Sequence, residues 1–185
     1  MDAKSFDLVH DYLEVARAAG EVAGVRDAAE GILGRHGHEG VRNAVFSVVA
    51  VNLVFAYLSL ESFVAEGLQS KGVDVDAPPG PPGLQRRLKA LCAAAGWPDP
   101  EEADPGLWSR FLILLADAGP LTGSPRLRTE ALQVHVAGLM TRSAPFPYAD
   151  TASDCLAQMI GASGRQEPPW LHRNTLIEFR GGLVE

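Results

Sequence analysis

The chain has 185 residues and a formal net charge of -7 at pH 7. Because a chain of this length can fill one hydrophobic core, we expect a single domain over residues 1–185. Hydrophobic residues make up 46% and charged residues 21% of the sequence, which is typical of a soluble globular protein and disfavours a disordered one. The negative charge excludes binding of nucleic acid through a global positive field, so any RNA contact requires a local basic patch.

Apolar residues recur at helical spacing from the N-terminus onward. Phe6, Val9 and Leu13 predict a first helix of about four turns. A second helical segment is predicted over residues 25–37, where the turn-forming sequence HGHEG follows. The pattern over residues 41–72 predicts the longest helix of the chain.

Residues 44–60 within that long helix form the one stretch apolar enough to resemble a membrane span. Ser47, Asn52 and Ser59 interrupt it, and Glu61 follows at once. A helix that is hydrophobic all round is also what the centre of a helical bundle requires. We therefore predict a buried core helix and no membrane association.

Two segments rich in proline and glycine, residues 72–83 and 96–106, predict long internal loops, because proline lacks an amide N–H and restricts the residue before it. Helical spacing then predicts four further helices, over residues 84–96, 107–119, 129–142 and 151–163. Two prolines favour the start of a last helix at about Trp170. The expected fold is an all-α, single-domain bundle of about five to seven helices.

No residue pattern indicates a metal site or a cofactor. Cys92 and Cys155 lie far apart without ligand spacing, and we interpret them as reduced core thiols of a cytoplasmic protein. His36, His38 and Glu39 lie close together, but without a second ligand pair they indicate a solvated turn. The glycines do not form a phosphate-binding loop.

The sequence WLHRNTLIEFRGG, residues 170–182, carries the strongest functional signal. On a helical projection the apolar stripe consists of His172, Leu176, Phe179 and Leu183. Asn174 and Glu178 lie one turn apart on the opposite side. Arg173 and Arg180 share a flank, so two guanidinium groups can converge on one anion. This arrangement suits a phosphate.

Residues 173–180 resemble the signature of the HEPN superfamily. These are all-helical domains whose last long helix bears an Arg, often followed by Asn, then four to six residues and a His. Arg173 and Asn174 match this signature, but Glu178 occupies the position of the family's His. The resemblance implies Arg173, Asn174 and Glu178 as the catalytic positions. Arg180, which shares the flank of Arg173, and His172, which directly precedes Arg173, are further candidates for contact with the RNA phosphate.

A second segment resembles the buried early helix of many HEPN proteins. Leu60, Glu61 and Phe63 match its pattern of a Leu-Glu pair followed by an aromatic residue. In that family an acidic residue on this helix commonly faces the Arg-His motif and orients it. The resemblance therefore adds Glu61 to the candidate catalytic residues, as the partner of Arg173.

The resemblance also implies the activity and the partners. Metal-independent RNA cleavage needs a group that exchanges protons near neutral pH and a permanent cation at the phosphate. An exposed glutamate is a poor proton donor at neutral pH and repels phosphate, so we expect Glu178 to weaken or abolish cleavage. The implied protein is an RNA-directed domain of a bacterial defence or toxin–antitoxin system. It would act as a homodimer or with a HEPN-like or antitoxin partner.

Alternatives remain open at each of these residues. Residues 172–180 also fit the solvent face of an ordinary terminal helix, or a non-catalytic module that binds a protein partner. For His172 and His135 a structural role competes with a catalytic one. The basic residues can either bind RNA phosphates or keep their helices soluble; these are Arg86, Arg87, Lys89, Arg126 and Arg128.

Overall fold

The computed structural model describes residues 3–24, 39–76, 80–122, 135, 138–139 and 147–171. Three predictions fall wholly or largely outside these residues. They are the helical segment over 25–37, most of the helix over 129–142, and the motif over 172–180. Of the 129–142 segment, His135, Gly138 and Leu139 are described and are helical.

The protein is an all-α, single-domain helical bundle, which confirms the predicted fold class. Within the described ranges there is no β-strand. The elements in chain order are α1 (Ala3–Gly24), α2 (Glu39–Lys71), α3 (Pro81–Ala95), α4 (Pro100–Ala103), α5 (Pro105–Thr122), α6 (Tyr148–Ala162) and a 3-10 turn (Pro169–Leu171).

Helix α2 lies at the centre of the bundle and packs against α1, α3, α5 and α6. Leu53, Leu60 and Val64 on this helix are almost completely buried in the common core. The part Val49–Lys71 is long and apolar enough to cross a membrane, and 44% of its most apolar window is buried inside the bundle. Packing in the core therefore accounts for much of the apolar composition of α2.

Helices α1 and α2 make the most extensive contact between elements and approach closely at Gly20. A Cβ atom at Gly20 would lie 2.5 Å from Nδ2 of Asn52. That nitrogen donates a 2.9 Å hydrogen bond to the backbone carbonyl of Ala16. The buried Asn52 thus joins the two helices where only a residue without a side chain fits.

Both predicted loops are partly helical. Helix α3 begins at Pro81, three residues before the predicted start, because a proline in the first turn loses no helical hydrogen bond. The predicted loop over 96–106 contains α4, where the side chain of Asp99 accepts a 2.9 Å hydrogen bond from the amide of Glu101. Asp99 followed by Pro100 is a helix-start signal that overrides the proline content of this segment.

Candidate functional site

Glu61 is the one predicted site residue that lies within the described part of the chain. Arg173, Asn174, Glu178, Arg180 and His172 lie outside it. The predicted contact between Glu61 and Arg173 therefore stays a prediction. What the structure does give is the surroundings of Glu61 and the turn that immediately precedes His172.

The carboxylate of Glu61 on α2 is held by two neighbouring side chains. Arg87 on α3 binds it through both terminal nitrogens; Nη1 contacts Oε1, and Nη2 lies 2.8 Å from Oε2. The hydroxyl of Tyr57, one turn before Glu61, donates a 2.8 Å hydrogen bond to Oε2. This two-point pairing is the strong geometry between arginine and a carboxylate. We call these three residues the Glu61 cluster.

Tyr57 is fixed as a hydrogen-bond donor within the Glu61 cluster. Burial, together with the hydrogen bond and negative charge of Glu61, raises the pKa of Tyr57 well above its ordinary value. The phenol therefore keeps its proton throughout the physiological range. Glu61 thus faces Arg87, which is always positively charged, and Tyr57, which always donates a hydrogen bond.

The sequence pattern groups Arg87 with the other basic residues of α3 and does not predict its pairing with Glu61. Its neighbour Lys89 is also engaged: Nζ lies 2.6 Å from a carboxylate oxygen of Glu101 and 5.0 Å from the ring centre of Trp108. Arg86 is exposed. The sequence does contain one indication of this pairing. Arg87 lies at helical spacing from the buried leucines of α3, and this places it on the side of α3 that faces α2.

A second polar group lies where the chain approaches the motif. Arg17 on α1 donates to the backbone carbonyl of Trp170 at 2.6 Å and also to that of Leu171. It donates a 2.9 Å hydrogen bond to Oγ of Ser153 on α6, and its charge is balanced by Glu14 at 3.1 Å. We call these groups the Arg17 clamp.

The turn held by the clamp is packed tightly onto the bundle. Leu171 is completely buried, and the ring of Trp170 lies edge-to-face on that of His10, with centroids 5.2 Å apart. The side chains of Arg17 and Glu14 are each only 11% exposed. Glu14 and Arg17 lie three residues apart beside the apolar stripe of α1, and this spacing predicts an ion pair between them. The spacing does not predict that Arg17 also binds the turn at Trp170 and Leu171.

His135 contacts the bundle through a backbone group. Its Nε2 lies 2.9 Å from the carbonyl oxygen of Asp117 on α5. The carboxylate of Asp117 is buried and accepts a 2.8 Å hydrogen bond from the hydroxyl of Tyr148. These contacts fit the structural interpretation of His135.

The described residues contain no group of three potential metal ligands. Cys92 and Cys155 are free and buried, as expected for core thiols. Burial raises the pKa of Cys92 to about 11 and that of Cys155 to about 12, so neither is a reactive thiolate. His36 and His38 lie outside the described residues.

No family model, curated protein or solved structure matches this chain. The HEPN resemblance therefore depends on two sequence segments, residues 60–63 and 173–180. The structure adds two groups of side chains that bear on these segments. The Glu61 cluster includes one segment, and the Arg17 clamp immediately precedes the other.

Proposed function

We propose that the protein is a HEPN-like, RNA-directed domain of a bacterial defence or toxin–antitoxin system that acts in the cytoplasm. As a ribonuclease it is weakened or inactive. The observation that carries the proposal is the arrangement Arg173-Asn174 followed by Glu178 in an all-helical chain. The clamped turn at Trp170 and Leu171 supports it, because a defined chain position just before the motif favours a defined site.

Each motif residue has a chemical role in this proposal. Arg173 contacts the phosphate at the bond to be cleaved, and Asn174 orients the nucleotide. Arg180 and His172 add contacts to neighbouring phosphates. Glu178 occupies the position of the proton-transferring His and lacks a proton to donate at neutral pH.

Glu61 retains capacity for a further partner. Among the described contacts, Oε2 accepts from Arg87 and Tyr57, whereas Oε1 accepts from Arg87 alone. Each carboxylate oxygen has two acceptor positions, so Oε1 can receive a second donor. We propose that Arg173 is this donor and that Arg87 holds the carboxylate ready for it.

The proposed assembly is a homodimer, or a complex with a HEPN-like or antitoxin partner, in which two motif segments meet. The net charge of -7 disfavours bulk attraction of RNA, so RNA contacts in this assembly must come from the arginines of the motif segments themselves. A composite site would also bring together the arginines of two motif segments, whereas a single segment supplies only its own.

A non-catalytic interaction module is the second candidate. In this case residues 172–180 bind a protein partner and need no proton donor. The Glu61 cluster favours this alternative, because pairing with Arg87 gives Glu61 a structural role that requires no catalysis.

Cleavage of RNA by engineered variants tests the proposal. We expect the wild-type protein to cleave a mixed single-stranded RNA slowly or not at all. Glu178→His should raise the rate by about 100-fold or more, since a positioned general acid or base contributes on that scale. Adding Arg173→Ala to Glu178→His should remove this gain, as measured by gel electrophoresis of end-labelled RNA.

The matched control is Arg110→Ala in the Glu178→His background. Arg110 forms a 3.0 Å ion pair with Asp154, and both side chains are well exposed, so its loss should leave cleavage unchanged. If folded Glu178→His protein does not cleave RNA, the proposal of a HEPN-like ribonuclease domain is wrong. Binding of a protein partner that Arg173→Ala abolishes would then support the interaction module.

A further inference from the structure

The Arg17 clamp joins three parts of the chain that are distant in sequence. Arg17 lies on α1, Ser153 on α6, and the accepting carbonyls belong to the turn at Trp170 and Leu171. We propose that Arg17 is a positioning residue that fixes the turn Pro169–Leu171 against α1 and α6. The placement of this turn then depends on the two helices and not on the loop before it.

The carbonyl of Leu171 shows how specific this arrangement is. It accepts from Nη2 of Arg17 and also from Oγ of Ser153, at 2.5 Å. A carbonyl oxygen has two acceptor positions, so both are occupied. The turn is therefore held at this carbonyl from both α1 and α6.

Only arginine fits the clamp. Its planar group donates in several fixed directions, and here it reaches two successive carbonyls, Ser153 and Glu14 together. Lysine keeps the charge but offers three donors on a single nitrogen, which cannot span these acceptors. Because Arg17 and Glu14 are largely buried, water replaces a lost hydrogen bond poorly.

Hydrogen–deuterium exchange on the full chain tests the clamp directly. In Arg17→Lys we expect the hydrogen-bonded amides within residues 163–171 to exchange about tenfold faster, because the turn opens without unfolding of the bundle. The main reporter is the amide of Leu171, which donates a 3.0 Å hydrogen bond to the carbonyl of Pro168. Ser153→Ala, which removes one donor to Leu171 and is the milder change, should give a smaller increase at the same amides. Amides in the middle of α2 should keep their wild-type rates in both variants.

Arg110→Lys is the control, because Arg110 on α5 forms a 3.0 Å ion pair with Asp154, the residue after Ser153 on α6. It should leave exchange over residues 163–171 unchanged. The proposal would be overturned if exchange were unchanged in both Arg17→Lys and Ser153→Ala. It would also be overturned if Arg110→Lys gave an increase as large as that in Arg17→Lys. A uniform increase along the whole chain in Arg17→Lys and Ser153→Ala would do the same, since it would show general destabilisation.

One consequence rests on the proposed function: the clamp sets the position of Arg173 relative to RNA. In the Glu178→His variant, Arg17→Lys should lower kcat/KM for RNA cleavage about tenfold, and Arg110→Lys should not. If Glu178→His does not cleave RNA, the proposed function fails, while the exchange experiment still decides whether the clamp exists. If it cleaves and Arg17→Lys leaves kcat/KM unchanged, the clamp does not position Arg173.

Discussion

Cys92 and Cys155 show how burial at single residues links stability to pH. Burial raises the pKa of Cys92 to about 11 and that of Cys155 to about 12, both above the ordinary value of 9.0. The unfolded chain therefore loses these protons at lower pH than the folded protein. Their contribution to the free energy of unfolding is complete below pH 9 and is lost as pH rises from 9 towards 12.

We predict that the free energy of unfolding falls by roughly 3 kcal/mol between pH 8 and pH 10 because of the two thiols. Urea denaturation at fixed pH values, followed by circular dichroism, measures it. The control carries Cys92→Ala and Cys155→Ala, which should flatten this pH dependence even though it lowers stability at pH 7. An identical pH slope in the two proteins would contradict the prediction.

The contacts of Arg87 and Arg17 show which features of the candidate site can be predicted from the sequence. Glu61 on a buried helix predicts a cationic partner, and the structure supplies Arg87 from a position 26 residues away. The partners of Arg17 are further away still, with Leu171 separated from it by 154 positions. Helical spacing identifies which face a charge lies on, but contacts between distant segments depend on how the helices assemble.

At the scale of helices, the contact between α2 and α3 depends on Gly67. A Cβ atom there would lie 2.7 Å from Cδ2 of Leu91, whose side chain is 1% exposed. Leu91 cannot move aside without displacing its core neighbours. The missing side chain therefore sets how closely the two helices approach.

Gly67→Ala should lower the free energy of unfolding by about 1–2 kcal/mol, because overpacking outweighs the gain of about 1 kcal/mol in helix propensity. Thermal and urea denaturation measure this change. Gly161→Ala is the control: Gly161 lies in α6 with nothing near its missing Cβ, so this variant should be as stable as wild type or slightly more so. In a Leu91→Ala background the cost of Gly67→Ala should largely disappear, and a persistent cost would refute the steric explanation.

Most helices in the described residues could be predicted because their apolar residues recur at helical spacing. The predicted helix over 41–72 differs from α2 by two residues at its start and one at its end. The helix boundaries near proline were predicted less well. Pro81 and Pro100 begin helices, whereas proline content alone predicts a loop. Proline breaks a helix interior but fits a first turn, so its effect depends on a boundary that composition does not reveal.

At the scale of the whole molecule, the central position of α2 predicts how the protein behaves towards membranes. The side chains that make Val49–Lys71 apolar are largely the ones that pack against the other helices. Inserting α2 into a bilayer would also separate the pair of Glu61 and Arg87, which is costly in an apolar medium. We therefore expect the folded bundle not to insert into a membrane.

In a flotation experiment with neutral phospholipid vesicles, we expect the wild-type protein to stay in the dense aqueous fractions. A Leu53→Asp variant is the comparison, because a carboxylate at this fully buried position should loosen the bundle and expose α2. That variant should float with the vesicles or aggregate. Flotation of the folded wild-type protein would show that α2 leaves the bundle.

The Arg17 clamp also has a consequence for how the protein is made. Arg17 lies in α1, while its carbonyl partners at Trp170 and Leu171 are synthesised 153 and 154 positions later. During translation the guanidinium group and Glu14 must stay hydrated until those residues leave the ribosome. The N-terminal helix therefore cannot reach its final packing on an incomplete chain, and nascent chains that stop before Trp170 should remain substrates for chaperones and proteases.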